Sequence, residues 1–366
     1  MSYVVLSILV VILSGIYEKI KNLNAKSRGL QYILPAIICL CLCVFAGLRT
    51  EYNDTANYID SYQKTPTKFA LLFTEDFAIS NVYGFNIFQY LVFNFISTNP
   101  HVFLFLCAAI FVIPCVLMID KHSKSFTFSM FLFLSTGAYL FALAGIKQAL
   151  ATGTIVLGFN SLINKKTVRY YLYCLLAVSF HTYAIFSLII PIMGNRLWDK
   201  KLIIFGFIVL VLGIGLSQFS DIMSSIIEFL GKEIDEEIIT EGSVNVFRAL
   251  VYLVPFVLTV IADKSINDEG DEAQILWARV GLFSAFFMVL SLFGNPVLFG
   301  RIPQYFLLGI VISLPYLLDK VFKGDAKFLI TTAAIVCYTI FALYALHVDG
   351  AFTEDIFKLA IGGING

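Results

Sequence analysis

Charge is what this chain has least of. Only 14% of its 366 residues are Asp, Glu, Lys or Arg, while 59% are hydrophobic and the mean hydropathy is +0.86. A soluble domain carries roughly 25% charged and 45–50% apolar residues, so this composition excludes an ordinary water-soluble fold. The formal net charge is zero, which gives nucleic acid no basic surface to bind. Histidine is scarce too: His101, His122, His181 and His347 are scattered, and no metal site is implied. Cys39, Cys41, Cys43, Cys107, Cys115, Cys174 and Cys337 all fall inside apolar runs without CxxC spacing. They predict packing, not disulfides or zinc. There is no phosphate-binding GxxxxGK[ST], HExxH, GxSxG or Gly-rich dinucleotide fingerprint, and no cofactor is expected. No basic segment precedes the first apolar run, which therefore reads as an uncleaved span.

What is present is a series of long apolar runs. A spanning helix needs about 20 mostly apolar residues. Runs at 3–17, 30–47, 101–119, 126–143, 147–163, 202–217, 247–262, 275–293, 303–319 and 328–346 qualify, some with interfacial extensions. The expected fold is an all-α polytopic membrane protein, 1–366 forming one integral membrane domain. Basic residues gather in Lys19–Arg28, Lys121–Lys124, Lys165–Arg169, Arg196–Lys201 and Lys320–Lys327, with Lys264 in another short loop. Placing all of these in the cytoplasm puts 16 of the 25 Lys and Arg inside. That frame makes 168–195 a hairpin of two half-length helices turning near His181, and lays 85–97 along the surface. The competing frame makes 85–97 and 168–195 single spans and strands the basic residues between them outside. Either frame gives about twelve membrane segments with both termini outside. Two outer loops are long, about 48–84 and 218–246, the second acidic. Long loops of this kind carry function. No internal repeat or paired broken helices are visible, as a symmetric transporter would show.

The charges left on the outer side are few and isolated. Arg49 ends the second run and is followed by Asp54, Tyr58, Asp60 and Tyr62. A guanidinium binds phosphate bidentately, and tyrosine offers a ring face and a hydroxyl, so this set suits an anionic, sugar-containing ligand. An arginine at a helix end also serves as an interfacial anchor. Arg301, in NPVLFGRIPQYF, points at the outer mouth of the bundle, and Tyr305 shares its face if a helix has begun. Arg248 opens a span after the acidic loop, where Glu241 is a ready partner. Lys147-Gln148 occupies a tight connection between apolar segments, where a charge needs a polar cavity. His181 interrupts an apolar stretch. Arg279 reads as an inner anchor that snorkels.

Three stretches, GLRTEYNDTANYIDSY, GIKQALATG with FHTYA downstream, and GRIPQYF, together resemble the EpsG-like branch of the Wzy-type polysaccharide polymerases, over most of the chain. Lys147 stands where the family commonly has Arg, and Asn53-Asp54 where a Gly-Asp is usual. The resemblance implies an architecture similar to the metal-independent GT-C class of lipid-dependent glycosyltransferases. It implies polymerisation of undecaprenyl-pyrophosphate-linked repeat units (O-antigen, capsule or exopolysaccharide) at the periplasmic face of a bacterial inner membrane. A flippase and a chain-length regulator would be its partners, beside the lipid bilayer. In that chemistry Arg49 and Arg301, with Arg248 or Lys147, would hold pyrophosphate. Asp54 or His181, with Asp60 behind them, would receive the acceptor proton. Tyr58, Tyr305 and Gln148 would line the substrate. A lipid-linked glycan ligase, or a glycolipid transporter or flippase, are the alternative expectations.

Overall fold

The computed structural model describes residues 2–23, 28–73, 82–216, 246–293 and 299–348, and among them no strand occurs. Among the described residues fourteen α-helices carry the fold: α1 (Tyr3–Asn22), α2 (Arg28–Leu48), α3 (Thr55–Gln63), α4 (Tyr83–Phe95), α5 (Pro100–His122), α6 (Phe126–Ser135), α7 (Ala138–Ala144), α8 (Ile146–Ile163), α9 (Thr167–Phe180), α10 (Lys200–Leu216), α11 (Val246–Glu269), α12 (Glu272–Leu290), α13 (Leu307–Val321) and α14 (Gly324–Val348). Short 3-10 segments lie at Phe69–Phe73, Thr182–Ile192 and Ile302–Tyr305. The acidic loop, including Glu241, lies outside the described residues apart from its end at Val246.

Seven of these helices are long and apolar enough to cross a membrane, eight if the bent pair α6–α7 is one span. The expected count of about twelve thus exceeds what length and composition support among the described residues. The difference has identifiable causes. The run 168–195 is two short pieces, α13 has 15 residues, α10 has 17, and α4 has 13. Helices α12, α8 and α5 form the centre, whereas α14 and α1 keep most of their apolar surface on the outside, as lipid-facing helices do.

Polar bonds show which helix ends lie together. Lys21 pairs with Asp120 at 2.7 Å, Lys165 with Glu272 at 2.9 Å, and Lys320 with Glu269. Gln274 donates to the His122 carbonyl, and the Leu197 N–H donates to Asn267. The segments rich in Lys and Arg therefore share one end of the bundle, the basic end. His101 meets the Gly47 carbonyl, and Gln148 meets the Arg301 carbonyl, at the opposite end. Tyr170 donates to the Ser187 carbonyl at 2.8 Å, so α9 and the 182–192 segment lie side by side and reverse at His181. Helix α4 stays at the far end against α3, through Gln89 to Ser61 and Asn94 to Pro66. This geometry follows the hairpin frame.

Arg279 lies toward the basic end, within electrostatic reach of Asp199, but its expected exposure is not found. It does not snorkel: it is 4% exposed, donates at 3.4 Å to the Ile190 carbonyl, and so ties α12 to the end of the hairpin.

Close helix crossings explain why small residues recur in the centre. A Cβ on Gly153 would lie 2.2 Å from the Ile110 carbonyl oxygen of α5, and one on Gly309 would lie 2.3 Å from the Gly281 nitrogen of α12. Without a hydrophobic force between helices in lipid, such backbone proximity supplies the packing attraction. Gly309→Ala is expected to cost about 1–3 kcal/mol through overpacking. A thermal melt of the purified protein in detergent checks it, and an unchanged Tm contradicts the crossing.

Candidate functional site at the arginine end

The site begins at the exit of α2. Arg49 is 2% exposed, and each of its three guanidinium nitrogens donates a hydrogen bond. Nε donates to Thr55 Oγ1 at 3.0 Å, Nη2 to the Leu143 carbonyl at 2.9 Å, and Nη1 to the Ala46 carbonyl. Ala46 and Leu143 lie in the last turns of α2 and α7, where backbone carbonyls lack helical partners and the dipole is negative. One cation thus caps two helices and, through Thr55, fixes the start of α3. The bend that brings α7 here is 43°, at Gly137, whose φ of +85° a side chain would resist.

Between Arg49 and α3 the chain turns sharply. Tyr52 and Asn53 have φ of +101° and +46°, and Thr55 bonds back to the Tyr52 carbonyl through both its N–H and its hydroxyl. Asn53 therefore occupies the left-handed region where glycine is the easiest residue and asparagine the next. That accounts for Asn-Asp standing where Gly-Asp is usual.

Tyr58, on α3, is the meeting point. Its half-buried phenol lies against the backbone N–H of Lys147 and within electrostatic reach of Asp54, Arg301 and Arg49. Burial foremost, then the Asp54 charge, pushes it up to about 12, so it stays protonated as a hydrogen-bond donor at neutral pH. Lys147 lies 5.0 Å over the Phe85 ring and near Asp54. Asp54 is exposed, at the start of α3, with its carboxylate free of any capping bond. Asp60 is placed elsewhere, in an exposed ion pair with Lys64 at 2.6 Å.

The opposite wall is the 3-10 turn 302–305, held from three sides. Gln148 donates to the Arg301 carbonyl at 2.6 Å, Ser284 to the Pro303 carbonyl at 2.8 Å, and Gln304 to the Tyr252 hydroxyl at 2.9 Å. Arg248 interacts with that same hydroxyl. Arg301 is half-buried, and its guanidinium has no hydrogen bond or ion pair with a described residue. Tyr305 is fully buried rather than lining a cleft, and its hydroxyl meets His181 Nδ1 at 2.7 Å. The imidazole also packs edge-on against Tyr183.

The structure thus brings Asp54, Tyr58, Lys147, Gln148, Arg301, Tyr305 and His181 to one end of the bundle. Arg49 stands behind them and Arg248 beside them, and Asp60 faces away. Thr55, Ser284, Gln304, Tyr183 and Tyr252 complete the site. Thr55 lay unmarked in the polar loop after Arg49, and for the others a single polar residue inside an apolar run was the only sequence signal. Among the described residues no group of three or more His, Cys, Asp or Glu is placed to hold a metal.

The tight turn makes a testable demand. Asn53→Val is expected to cost about 1–2 kcal/mol in thermal stability, whereas Asn53→Gly should melt near the wild-type temperature. Equal tolerance of both would contradict the turn.

No curated protein and no solved structure matches the chain. A family model does, over residues 32–359, a span that contains every residue of this site. The chain belongs to the EpsG family.

Proposed function

We propose that this protein polymerises undecaprenyl-pyrophosphate-linked oligosaccharide repeat units at the periplasmic face of a bacterial inner membrane, by metal-independent glycosyl transfer. The whole bundle, read as about twelve membrane segments with a GT-C-like arrangement, would hold its lipid substrates laterally. Family membership supports the polymerase class. The observation that carries the chemistry is Arg301: a guanidinium with no hydrogen-bond or ion-pair partner among the described residues, beside a turn whose backbone carbonyls are held by Gln148 and Ser284 and whose Gln304 side chain is held by Tyr252.

A positive group on a held backbone, unspent on any described residue, is what a pyrophosphate leaving group requires. The bond that breaks joins the anomeric carbon of the donor glycan to its phosphate oxygen. Negative charge grows on that oxygen, and preorganised donors stabilise it without reorganisation. Arg301 supplies the planar fork. Lys147 supplies a point charge. The bond that forms joins the acceptor hydroxyl oxygen to the anomeric carbon, and its proton passes to Asp54, the exposed carboxylate of the site. Tyr58 donates to sugar or phosphate oxygens between them. Arg49 holds this geometry without touching substrate.

The orientation follows from the basic end. Loops rich in Lys and Arg stay in the cytoplasm, which leaves the arginine end outside.

One assay tests both parts. Purified protein is inserted into sealed vesicles of known sidedness, with chelator present, and a synthetic repeat unit on polyprenyl pyrophosphate is added outside. A ladder of longer lipid-linked glycans is expected only where the arginine end faces the medium. Arg301→Lys is expected to lower the rate on the order of 100-fold. Transbilayer movement of the substrate with no elongation would overturn the proposal, as would a ladder from the basic side.

A further inference from the structure

We infer that the apolar groove between α10, α11 and α12 binds an anionic phospholipid, with an acyl chain in the groove and the phosphate on Lys200, Lys201 and Arg196 at its mouth. The site lies toward the basic end, away from the candidate glycosyl-transfer site. It takes from the proposed function only the name of the leaflet, the cytoplasmic one.

The groove has a volume of about 320 Å³, inside the roughly 300–1,000 Å³ typical of sites for small apolar ligands. Its lining side chains are apolar throughout. Helix α10 contributes Ile203, Gly206, Phe207 and Leu210, the i, i+3, i+4, i+7 stripe of one helix face. Gly206 lets α10 come close to α12, since a Cβ there would lie 2.8 Å from the Phe286 ring. Trp198 lines the groove just before α10 begins. Its ring packs edge-on against Phe256 of α11 at 5.2 Å and against Phe286 of α12 at 6.3 Å. An indole is at home where hydrocarbon meets headgroups.

Any lipid chain can fill an apolar groove, so charge at the mouth decides which lipid stays. Lys200 lies one turn before Ile203 and continues the same stripe, with Lys201 and Arg196 flanking it. All three are exposed, and none of their side chains makes a hydrogen bond or ion pair with a described residue. The carboxylates nearby are engaged instead. Asp199 Oδ1 accepts the Lys201 N–H at 3.0 Å, and its charge lies within reach of the buried Arg279. Asp263 accepts from Asn267, which itself holds the Leu197 N–H. Unspent cations above an apolar slot complement a phosphate diester above its acyl chain. Basic pockets between helices on the cytoplasmic side select anionic headgroups in this way.

The chain has two tryptophans, and Trp277 is fully buried, which makes Trp198 a reporter of the groove. Full-length protein is placed in nanodiscs mixing phosphatidylglycerol with phosphatidylcholine, one of the two brominated along its chains, and tryptophan fluorescence is read. The quenched share is assigned to Trp198 by its loss in Trp198→Phe. Brominated phosphatidylglycerol is expected to quench with an apparent affinity at least about fivefold above that of brominated phosphatidylcholine at low salt. The preference is expected to approach unity in about 1 M salt, where the screening length is about 3 Å. Lys200→Gln combined with Lys201→Gln is expected to reduce it to less than about twofold. Equal quenching by the two lipids in the wild type would mean non-selective boundary lipid and overturn the inference, whether or not the variants fold. A preference that survives the lysine substitutions would overturn it too. So would a polyprenyl pyrophosphate that displaces the brominated phosphatidylglycerol better than the unlabelled form does. None of these readouts depends on glycan elongation, so the proposed function and the lipid site fail separately.

Discussion

The arrangement at the arginine end depends on one buried guanidinium. Arg49 sits where three backbone directions must be set at once: the end of α2, the end of α7 and the start of α3. Each helix end brings carbonyls that water does not reach, and a charge-assisted bond to each is worth roughly 1.5–3 kcal/mol. Burying a cation without a carboxylate partner is expensive. Two helix-terminal dipoles and a hydroxyl offset that cost here. The same arginine that the sequence offered as a ligand-binding group is therefore the residue that shapes the candidate site.

From that clamp the site spreads outward through backbone bonds. Thr55 sets α3, α3 carries Tyr58, and Tyr58 abuts the first turn of α8. Gln148 of that turn holds the Arg301 carbonyl, and the 3-10 turn beyond it carries Tyr305 to the tip of the α9 hairpin. Side chains proposed to meet substrate are thus mounted on segments whose own carbonyls are already spoken for. A half-length hairpin and a bent helix, costly devices in lipid, are tolerable because their irregular backbone is buried in protein.

Much of this was legible in the sequence because charge in an apolar chain is costly wherever it occurs. The basic segments do gather at one end, and the hairpin does turn at His181. The site residues, Asp60 aside, do converge. What could not be read was how each polar group is spent. A lone arginine after an apolar run has the same local sequence whether it faces a ligand or caps two helices. Only the position of Leu143, 94 residues away, separates the two. Tyr305 follows the same logic, since a partner 124 residues distant turned it from sugar platform to imidazole support. The span count was legible only in part, since hydropathy measures apolarity and not helix length. Among the described residues seven helices, or eight with the bent pair, are long and apolar enough to cross, and α9 and the 182–192 segment are the half-length pieces of the expected hairpin. Arg279 was expected to snorkel and does not, because depth along a helix does not reveal whether a neighbour's carbonyl is waiting.

The central claim is a division of labour between two arginines, one that builds the site and one that meets the anion. Binding of a polyprenyl pyrophosphate to nanodisc-embedded protein, measured by calorimetry for wild type, Arg301→Gln and Arg49→Gln, tests it most directly. The account predicts that Arg301→Gln keeps the wild-type melting temperature and weakens binding at least about tenfold, the loss of a charge-assisted bidentate contact. It predicts that Arg49→Gln lowers the melting temperature first. An Arg301→Gln protein that binds as tightly as wild type would contradict the account.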